Sequence, residues 1–228
     1  MDTFEILVVG RGKLAEELLQ GLQGPAISRV VRWGDRGGLE GGPSMIVHAG
    51  SGRELGEAIE FCSSSGSTLL NLSTGDAQFP SAPDFPLVLC PNVNMPMLRF
   101  MAMVKQAARH FRGQGIRITE SHQSSKRTKP GTAIHLANSL GVPENEIRSV
   151  RDPKVQHEAL GIPTAFLDRH AYHEVAISDP DVEIRLETRV LGKSAYASGL
   201  AKVIEIVAAS RLQPGCFDVV DLVMHESP

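Results

Sequence analysis

The sequence predicts an α/β protein in which a doubly wound parallel sheet is followed by a second domain built on a mixed sheet. Short, wholly apolar runs such as residues 6–9 alternate with segments of helical spacing up to about residue 96, an order typical of parallel strands joined by helices. After Gly115 the strand-like segments instead alternate apolar and polar residues, as antiparallel strands with one solvated face do. The two patterns together predict two domains of different sheet type.

The N-terminal elements follow from these patterns in order along the chain. Residues 6–9 end in a glycine, like a buried parallel strand, and the leucines of residues 14–22 recur at helical spacing until Gly24 and Pro25 end the helix. The same reasoning predicts strands at 26–33, 44–48, 68–72 and 86–89, a glycine-rich loop at 34–43, and helices at about 53–63 and 97–111.

The C-terminal domain is predicted from a different set of signals. Residues 182–190 alternate apolar and polar side chains without a break, which is the clearest strand signal in the chain. We expect one domain at residues 1–96, with about 200–228 packing back on it, and a second at 97–199. The other predicted elements are strands at 116–119, 164–168 and 173–178, helices at 133–140 and 197–209, and a short tail at 216–223.

The composition is that of an ordinary globular chain of 228 residues, with 42% hydrophobic and 21% charged residues. A net charge of −3 gives no reason to expect nucleic acid or an anionic membrane as a partner. No run approaches the roughly 18 apolar residues of a membrane span, and the first residues lack the basic character of a signal peptide. The three cysteines are widely spaced and match no metal-ligand pattern, so we expect a reduced, cytoplasmic protein without a metal site.

The turn after the first predicted strand carries the pattern G-x-G-x-x-A. Its first glycine suits a tight turn, its second lets a pyrophosphate approach the backbone, and Ala15 permits close packing of helix against strand. Asp35 follows the second strand roughly 20 residues later, where a carboxylate can accept a hydrogen bond from a ribose 2′-hydroxyl. The pattern predicts a Rossmann-like dinucleotide-binding domain, and the candidate cofactor residues are Gly10, Arg11, Gly12, Lys13, Leu14, Asp35 and Arg36.

Charges around this motif bear on which dinucleotide binds. Cations near Asp35 favour a 2′-phosphate, so NADPH is at least as well supported as NADH, although ordinary surface charges would explain the same residues. These cations are Arg11, Lys13, Arg32 and Arg36. The carboxyl ends of parallel strands face the ligand crevice, which adds Ser51, Ser73, Thr74 and Asn92 as candidate cofactor contacts.

The segment from residue 120 to residue 133 lies between a predicted strand and a predicted helix and carries the clearest chemical signal. His122 and Lys126 are four residues apart, and Pro130 and Gly131 form a turn at the start of the helix. Gly131 lets the backbone approach a ligand closely, and the unpaired N–H groups of a helix N-terminus attract an anion. The arrangement predicts a small anionic substrate beside a proton donor.

This motif resembles that of the dihydrodipicolinate reductase family, whose pattern is roughly E-[AT]-H-H-x-x-K-x-D-x-P-S-G-T-A. The matching residues are Glu120, His122, Lys126, Pro130, Gly131, Thr132 and Ala133. Segments 72–75, 91–94, 192–199 and 214–223 are similar, in the same order, to the family's G-T-T-G, A-N-F-S, S-R-x-x-F-A-x-G and P-G-x-Y-x-[MF]-x-D-V-L segments. The similarity covers most of the chain.

The resemblance implies an N-terminal domain that binds NADPH or NADH and a C-terminal α+β domain that holds the substrate and forms a homotetramer. It implies hydride transfer to a cyclic imine or unsaturated dicarboxylate, with His122 as proton donor. Imidazole suits that role, since its pKa is close to neutrality. The implied catalytic pair is His122 and Lys126, and the implied substrate-binding residues are Lys126, Gln123, Gly131, Thr132 and Lys193.

The chain departs from the family pattern at several positions. Gln123 stands where the family has a second histidine, Thr128 replaces an aspartate, Lys193 replaces an arginine, and the serine before Gly131 is missing. A paralogue acting on another cyclic imine or small acid therefore stays open beside the reductase itself, as does a dinucleotide-binding protein without turnover. Among the other histidines, His173 is the one that neighbouring strand ends could bring into the pocket.

Overall fold

The computed structural model describes residues 2–38, 44–73, 78–127, 130–192 and 195–225. The chain divides into two compact units, the first made of Met1–Arg99 with Tyr196–Pro228 and the second of Phe100–Ala195. The described strands are β1 (Phe4–Val9), β2 (Ile27–Arg32), β3 (Ser44–His48), β4 (Thr68–Asn71), β5 (Pro86–Leu89), β6 (Gly115–His122), β7 (Arg148–Val150), β8 (His170–Asp179), β9 (Val182–Leu191) and β10 (Gly215–Asp218). The described α-helices are α1 (Lys13–Gly21), α2 (Leu55–Ser65), α3 (Met95–Ala107), α4 (Gly131–Leu140), α5 (Pro153–Glu158), α6 (Ala195–Ser210) and α7 (Val219–Met224).

The first unit is built on a six-stranded sheet in the order β10-β5-β4-β3-β1-β2, and every neighbouring pair is parallel. The chain runs from β1 to β2 in one direction across the sheet and from β3 to β5 in the other. In an open sheet of this kind a ligand crevice lies outside the carboxyl ends of the strands where the order reverses, here between β1 and β3. The predicted doubly wound, Rossmann-like fold is confirmed.

The inner strands β1, β3, β4 and β5 are largely apolar and buried, as expected of parallel strands whose sheet is covered on both faces. In β1, the side chains of residues 6–9 have no exposed surface. Helix α6 lies close to the end of α1, since a Cβ built on Gly21 would be only 3.5 Å from the Cβ of Ala197. The unbroken apolar run in the sequence thus reflects burial on two sides rather than one.

The second unit is built on a four-stranded sheet in the order β7-β6-β8-β9, in which β7 is parallel to β6 and the other pairs are antiparallel. Ile118 on β6 is paired with Val175 on β8, and both are buried on the same face. Strand β9 lies at the edge of the sheet and is largely exposed. The predicted mixed sheet is confirmed, and the alternating residues 182–190 lie within β9.

One predicted strand is wrong. Residues 164–168 contain a 3₁₀ turn at Thr164–Phe166 in place of a strand. The turn is closed by the N–H of Phe166, which donates to the carbonyl of Pro163 at 2.9 Å. A proline directly before the segment fixes φ in the range that turns use, and this local hydrogen bond outweighs the short apolar pattern. The next strand, β8, begins only at His170.

Candidate functional site

Alternate residues of β6 place Glu120 and His122 on one face of the mixed sheet, because successive side chains along a strand point to opposite faces. The Cα partner of Glu120 on β8 is His173, so His173 lies on that face as well. The rings of His122 and His173 meet edge to face, with centroids 5.6 Å apart and planes at 80°. Three polar side chains are therefore gathered at one end of the face that also carries Ile118 and Val175.

Glu120 is fully buried and is held by a two-point ion pair with Arg151. The guanidinium donates to Oε1 at 2.7 Å and to Oε2 at 3.2 Å. Burial alone would raise the pKa of the Glu120 carboxyl, but hydrogen bonds from His122, Arg151 and Ser149 together outweigh burial and lower that pKa to about 2. Glu120 is thus a charged carboxylate at neutral pH, and it can only accept hydrogen bonds.

His122 is oriented by this carboxylate, since its Nδ1 lies 2.7 Å from Oε2 of Glu120. Because the carboxylate only accepts, Nδ1 carries the hydrogen of the neutral ring, and Nε2 is the atom that can gain and release a proton. Burial is the largest cause that lowers the pKa of His122. The charge of Lys126 acts in the same direction, while the hydrogen bond to Glu120 opposes both.

The backbone of His122 is fixed by Gln156, a residue that sequence reasoning missed. Gln156 is fully buried, and its side-chain amide donates to the carbonyl of His122 at 2.7 Å and to that of Val150 at 3.2 Å. These two bonds tie the end of β6 to the end of β7. The position of the candidate acid therefore depends on a side chain that lies 34 residues further along the chain.

Arg151 was also missed, because β7 is only three residues long and gives no periodic signal. A signal for the following helix was present. Asp152 is the N-cap of α5 and accepts from the N–H groups of Lys154 and Val155, while Pro153 occupies the first turn. An Asp-Pro pair is a typical helix start. The Asp152-Pro153 pair would have predicted the start of α5. It would not have predicted which residues Arg151 and Gln156 contact.

The residues predicted to bind an anion lie on the segment that leads from β6 into α4. The pKa of Lys126 is lowered by burial in the first place, and the charge of Glu120 opposes this effect, so the two groups share one electrostatic environment. Gly131 and Thr132 open α4, and Pro130 at its N-cap has no side-chain oxygen with which to cap the helix. Gln123 accepts from the N–H of Lys126 at 2.9 Å through its backbone carbonyl. Lys193 and Thr128 lie outside the described residues.

In the first unit, the backbone of the turn after β1 lies close to the backbone of the turn after β3. Gly10 has a φ of +133°, and a Cβ built on it would lie 2.8 Å from the carbonyl oxygen of Ala49. By contrast, a Cβ built on Gly12 would meet nothing within 4 Å. Gly12 is the N-cap of α1, and Lys13 and Leu14 begin that helix. A tight turn next to open space at a helix N-terminus fits the pyrophosphate of a dinucleotide.

Asp35 lies in a 3₁₀ turn at Trp33–Gly38 that directly follows β2, where a plain loop was predicted. Its side chain is exposed at the carboxyl end of β2. The neighbouring Arg36 stacks on the ring of Trp33 at 4.0 Å, donates to the Trp33 carbonyl at 2.9 Å and meets Glu57 at 3.4 Å. These contacts brace the turn internally, through Trp33, and connect it to Glu57 on α2. The rest of the predicted loop, residues 39–43, lies outside the described residues.

Two of the other predicted cations are also paired with carboxylates. Arg32 binds both carboxylate oxygens of Glu16, at 2.9 and 3.0 Å. Arg11 is strongly exposed and lies 3.5 Å from Glu54. Each of these cations thus has a structural partner that competes with a phosphate. The structure brings the predicted cations to the same edge of the sheet as Asp35. Three of them, Arg11, Arg32 and Arg36, already pair with carboxylates of the protein.

The remaining predicted contacts follow the carboxyl ends of β3, β4 and β5. Asn71 fixes the loop after β4, since its amide donates to the carbonyl of Ser73 at 3.1 Å and its Oδ1 accepts the N–H of Ser73 at 3.3 Å. The side chain of Asn92 similarly accepts the N–H of Asn94 at 2.8 Å. Ser51, Ser73 and Asn92 therefore lie on ordered turns at the carboxyl edge, and Thr74 lies outside the described residues.

The described residues contain no group of three His, Cys, Asp or Glu side chains that could hold a metal ion. No helix in the described part of the chain is long and apolar enough to span a membrane. All three cysteines fall within that part and are free thiols; Cys62 and Cys90 are buried. Burial raises the pKa of the Cys62 thiol to about 12, so this thiol is unreactive at neutral pH.

These features define a Rossmann-like α/β protein with a second, mixed-sheet domain that carries a Glu-His-Arg cluster around the buried Glu120. The model of the family described as dihydrodipicolinate reductase, C-terminus, matches residues 97–223, more than half of the chain. The chain belongs to the dihydrodipicolinate reductase family.

Two curated relatives are the proteins named 4-hydroxy-tetrahydrodipicolinate reductase 1 and 2, chloroplastic, from Arabidopsis thaliana. They are 34% and 30% identical to this chain over 143 and 149 residues. The matches cover 55% and 59% of this chain and 41% and 43% of the relatives. The chain thus spans less than half the length of these relatives. Both are named chloroplastic, so the cytoplasmic location expected for this chain stays a prediction.

Solved structures show the same fold at low sequence identity. The dipicolinate-bound dihydrodipicolinate reductase from Paenisporosarcina sp. TG-14 has a TM-score of 0.62 and 15% identity, and the match covers 95% of this chain and 97% of that one. A probable dehydrogenase from Thermotoga maritima has a TM-score of 0.54 and 11% identity, and it covers 97% of this chain. Both support the two-domain fold.

Proposed function

We propose that this protein is an NAD(P)H-dependent reductase of the dihydrodipicolinate reductase type. Its substrate would be 4-hydroxy-tetrahydrodipicolinate or a related cyclic imine or unsaturated dicarboxylate. The observation that carries the proposal is the pair formed by the buried Glu120 and the partly buried His122, whose Oε2 and Nδ1 lie 2.7 Å apart and which Arg151 braces. Such a pair fixes an imidazole for proton transfer, which a protein that only bound a dinucleotide would not need. Membership of the family supports the same conclusion.

A bound NADPH or NADH would supply a hydride to one atom of the C=N or C=C bond. His122 is proposed to give a proton to the other atom from Nε2, because Nδ1 is engaged with Glu120. After the proton leaves, the neutral ring keeps its Nδ1–H bond to the carboxylate, so the ring does not have to turn. The lowered pKa makes the protonated His122 a stronger acid but reduces its population before substrate arrives.

An anionic substrate would increase the population of protonated His122 again. Lys126 and the backbone N–H groups at Gly131 and Thr132 are proposed to hold its carboxylates, with Gln123 and Lys193 as further contacts. A negative charge placed beside His122 and Lys126 favours the protonated form of both. Substrate binding is therefore expected to raise the pKa of His122 and to prepare the acid for the reaction.

The cofactor is proposed to bind at the carboxyl edge of β1 to β5. Its pyrophosphate would lie over Gly12 at the start of α1, and Asp35 would accept a ribose hydroxyl. Arg36 could approach a 2′-phosphate only by giving up part of its contact with Glu57. The proposal therefore includes both NADPH and NADH.

Two glycine variants separate the fold from cofactor binding. Gly12→Ala is expected to leave stability within about 0.5 kcal/mol of the parent protein, since its Cβ meets open space. It should nevertheless weaken NADPH binding, because the methyl group would occupy the space proposed for the pyrophosphate. Gly10→Ala should instead destabilise the first unit by about 2 kcal/mol, through its left-handed φ and the contact with Ala49. Thermal unfolding and NADPH titration of both variants check this; unchanged affinity in Gly12→Ala would contradict the proposed site.

We also propose that the protein is a homo-oligomer, with the face or edge of β9 in the contact. Val182, Ile184 and Leu191 are 61%, 40% and 39% exposed on this edge strand. Exposed edge strands with apolar side chains are normally covered by another element or another chain. A tetramer is the form that the family resemblance implies. Light scattering on the purified protein would measure the assembly, and a monomer at micromolar concentration would contradict the proposal.

Two probe ligands test the proposed function in binding experiments. NADPH probes the first unit, and dipicolinate, the planar dicarboxylate in the Paenisporosarcina structure, probes the second. Calorimetric titration is expected to show that both bind and that dipicolinate binding weakens in Lys126→Ala. Binding of NADPH without dipicolinate would favour the paralogue with another substrate. Binding of neither would contradict a reductase.

The proposed acid also predicts how activity depends on pH. His122 must be protonated in the free protein, so kcat/KM should fall as pH rises through the pKa of His122, which lies below its ordinary value of 6.5. The decline should therefore be under way below that pH and should continue across the neutral range. Steady-state kinetics between about pH 5 and pH 8 measure this. A level profile over that range would argue against His122 as the acid.

A further inference from the structure

His173 is buried beside His122, the candidate acid, but its side chain makes no hydrogen bond within the described residues. It is 1% exposed, lies directly opposite Glu120 across the sheet, and meets the ring of His122 edge to face. Within the described part of the chain, neither of its ring nitrogens has a hydrogen-bond partner. A buried polar group without a partner costs folding free energy, because its hydrogen bonds to water are lost and not replaced.

A second buried histidine on the same strand shows what a purely structural histidine looks like in this fold. His170 is 4% exposed and lies on the opposite face of β8. Its Nε2 lies 2.9 Å from the hydroxyl of Ser121, and its Nδ1 lies 3.1 Å from the carbonyl of Phe166. Both of its nitrogens are used within the protein. The contrast indicates that the ring nitrogens of His173 have a role in binding rather than in stabilising the fold.

Two further buried side-chain oxygens of the second unit lack a hydrogen-bond partner among the described residues. Thr188, its Cα partner on β9, has a buried hydroxyl without a partner in the described residues. The side-chain oxygen of Gln156, whose amide holds the backbone of His122, is in the same condition. The two oxygens of Glu120 accept from Arg151 and His122, and neither is a hydrogen-bond partner of His173. The structure thus leaves both ring nitrogens of His173 available to a bound molecule.

The charge of the site decides what kind of partner fits. Burial, followed by the charge of His122, lowers the pKa of His173 to about 3, so its ring is neutral and offers one N–H donor. Lys126 contributes positive charge nearby. A carboxylate oxygen matches both features, because it accepts from an N–H and is attracted by the charge of Lys126.

We propose that His173 is a substrate-binding residue whose ring N–H donates a hydrogen bond to a carboxylate of the anionic substrate, next to His122. This inference rests on the proposed function and adds a residue to its substrate site. It also explains why a histidine occupies a buried position where a phenylalanine would pack without an unpaired polar atom.

Dipicolinate titration and thermal unfolding of two matched variants, His173→Phe and His170→Phe, test the inference. In His173→Phe the dissociation constant for dipicolinate should rise about tenfold or more, while the melting temperature stays the same or increases. His170→Phe should lower the melting temperature, because Ser121 and Phe166 lose their partner, but should leave dipicolinate affinity unchanged. His173→Gln keeps an N–H donor and should recover part of the affinity, which a role in packing alone would not produce.

The outcomes separate the inference from the proposed function. Wild-type protein that binds neither NADPH nor dipicolinate would overturn the proposed function and the inference with it, whereas binding of NADPH without dipicolinate would overturn the inference and leave a reductase of another substrate. Tight wild-type binding together with unchanged affinity in His173→Phe would overturn the inference alone. A fall in melting temperature in His173→Phe as large as that in His170→Phe would also overturn it, because His173 would then be a structural residue.

Discussion

Replacing His122 with alanine should lower kcat by about a hundredfold or more, because the reaction would lose the group that protonates the substrate. The dissociation constant for NADPH should not change, since the proposed cofactor residues belong to the first unit. The fold should persist as well, because Glu120 keeps both of its bonds to Arg151 in this variant. Steady-state kinetics and a fluorescence titration of the nicotinamide measure the two quantities separately.

His110→Ala is a suitable control for this experiment. His110 also lies in the second unit, but it is exposed and its ring contacts only the neighbouring Arg109 among the bonds described. Its replacement should leave both kcat and cofactor affinity unchanged. A His122→Ala protein with wild-type kcat would remove His122 from the mechanism. Loss of NADPH binding in that variant would show that its defect is not confined to proton transfer.

Glu120→Gln should lower the free energy of unfolding at neutral pH by about 3 kcal/mol. The carboxyl has an ordinary pKa of 4.5 and a pKa of about 2 in the folded protein, and each unit of that difference corresponds to about 1.4 kcal/mol. The structural cause is that Arg151 would lose the carboxylate that neutralises it inside the protein. Urea unfolding of both proteins, followed by a probe of the second unit, measures the difference.

The pH dependence of this difference has a definite sign. The folded-state pKa of Glu120 is lowered, so its stabilisation is fully present above about pH 4.5 and is lost as pH falls toward 2. The gap between the two proteins should therefore narrow on acidification. Glu183→Gln is a matched control, because Glu183 pairs with Arg117 and Arg185 at the surface, where ion pairs contribute little. Equal effects of the two substitutions would contradict a special role for Glu120.

The same variant bears on the chemistry of His122. The Glu120 carboxylate opposes the fall in the pKa of His122 that burial causes. Its removal should move the declining part of the kcat/KM profile to lower pH. This shift would distinguish a carboxylate that supports the acid from one that only stabilises the fold.

Much of the fold and part of the site follow from local sequence signals. Residues 6–9 and the glycines after them mark a buried strand that leads into a helix, because both the apolar run and the turn chemistry lie within a few consecutive residues. The predicted strand at 116–119 ends before Glu120 and His122, and their common face follows only because β6 continues to His122. His122 and Lys126 could be assigned roles because the family pattern is contiguous in this segment.

The missed parts of the site depend on contacts between distant segments. Arg151 reaches Glu120 only because the short strand β7 pairs with β6. His173 was noticed as a candidate, but its position opposite Glu120 is set by the register of β6 and β8, which no single segment determines. Residues 164–168 were assigned wrongly because a five-residue apolar pattern does not separate a strand from a turn begun by Pro163.

This protein is proposed to reduce a cyclic dicarboxylate with a nicotinamide cofactor and a proton from His122. The most direct test is the oxidation of NADPH or NADH by the purified protein, with 4-hydroxy-tetrahydrodipicolinate generated in situ by the synthase that produces it. The account predicts cofactor oxidation that requires this substrate and falls by about a hundredfold in His122→Ala. No substrate-dependent oxidation of either cofactor, in protein that binds both NADPH and dipicolinate, would contradict it.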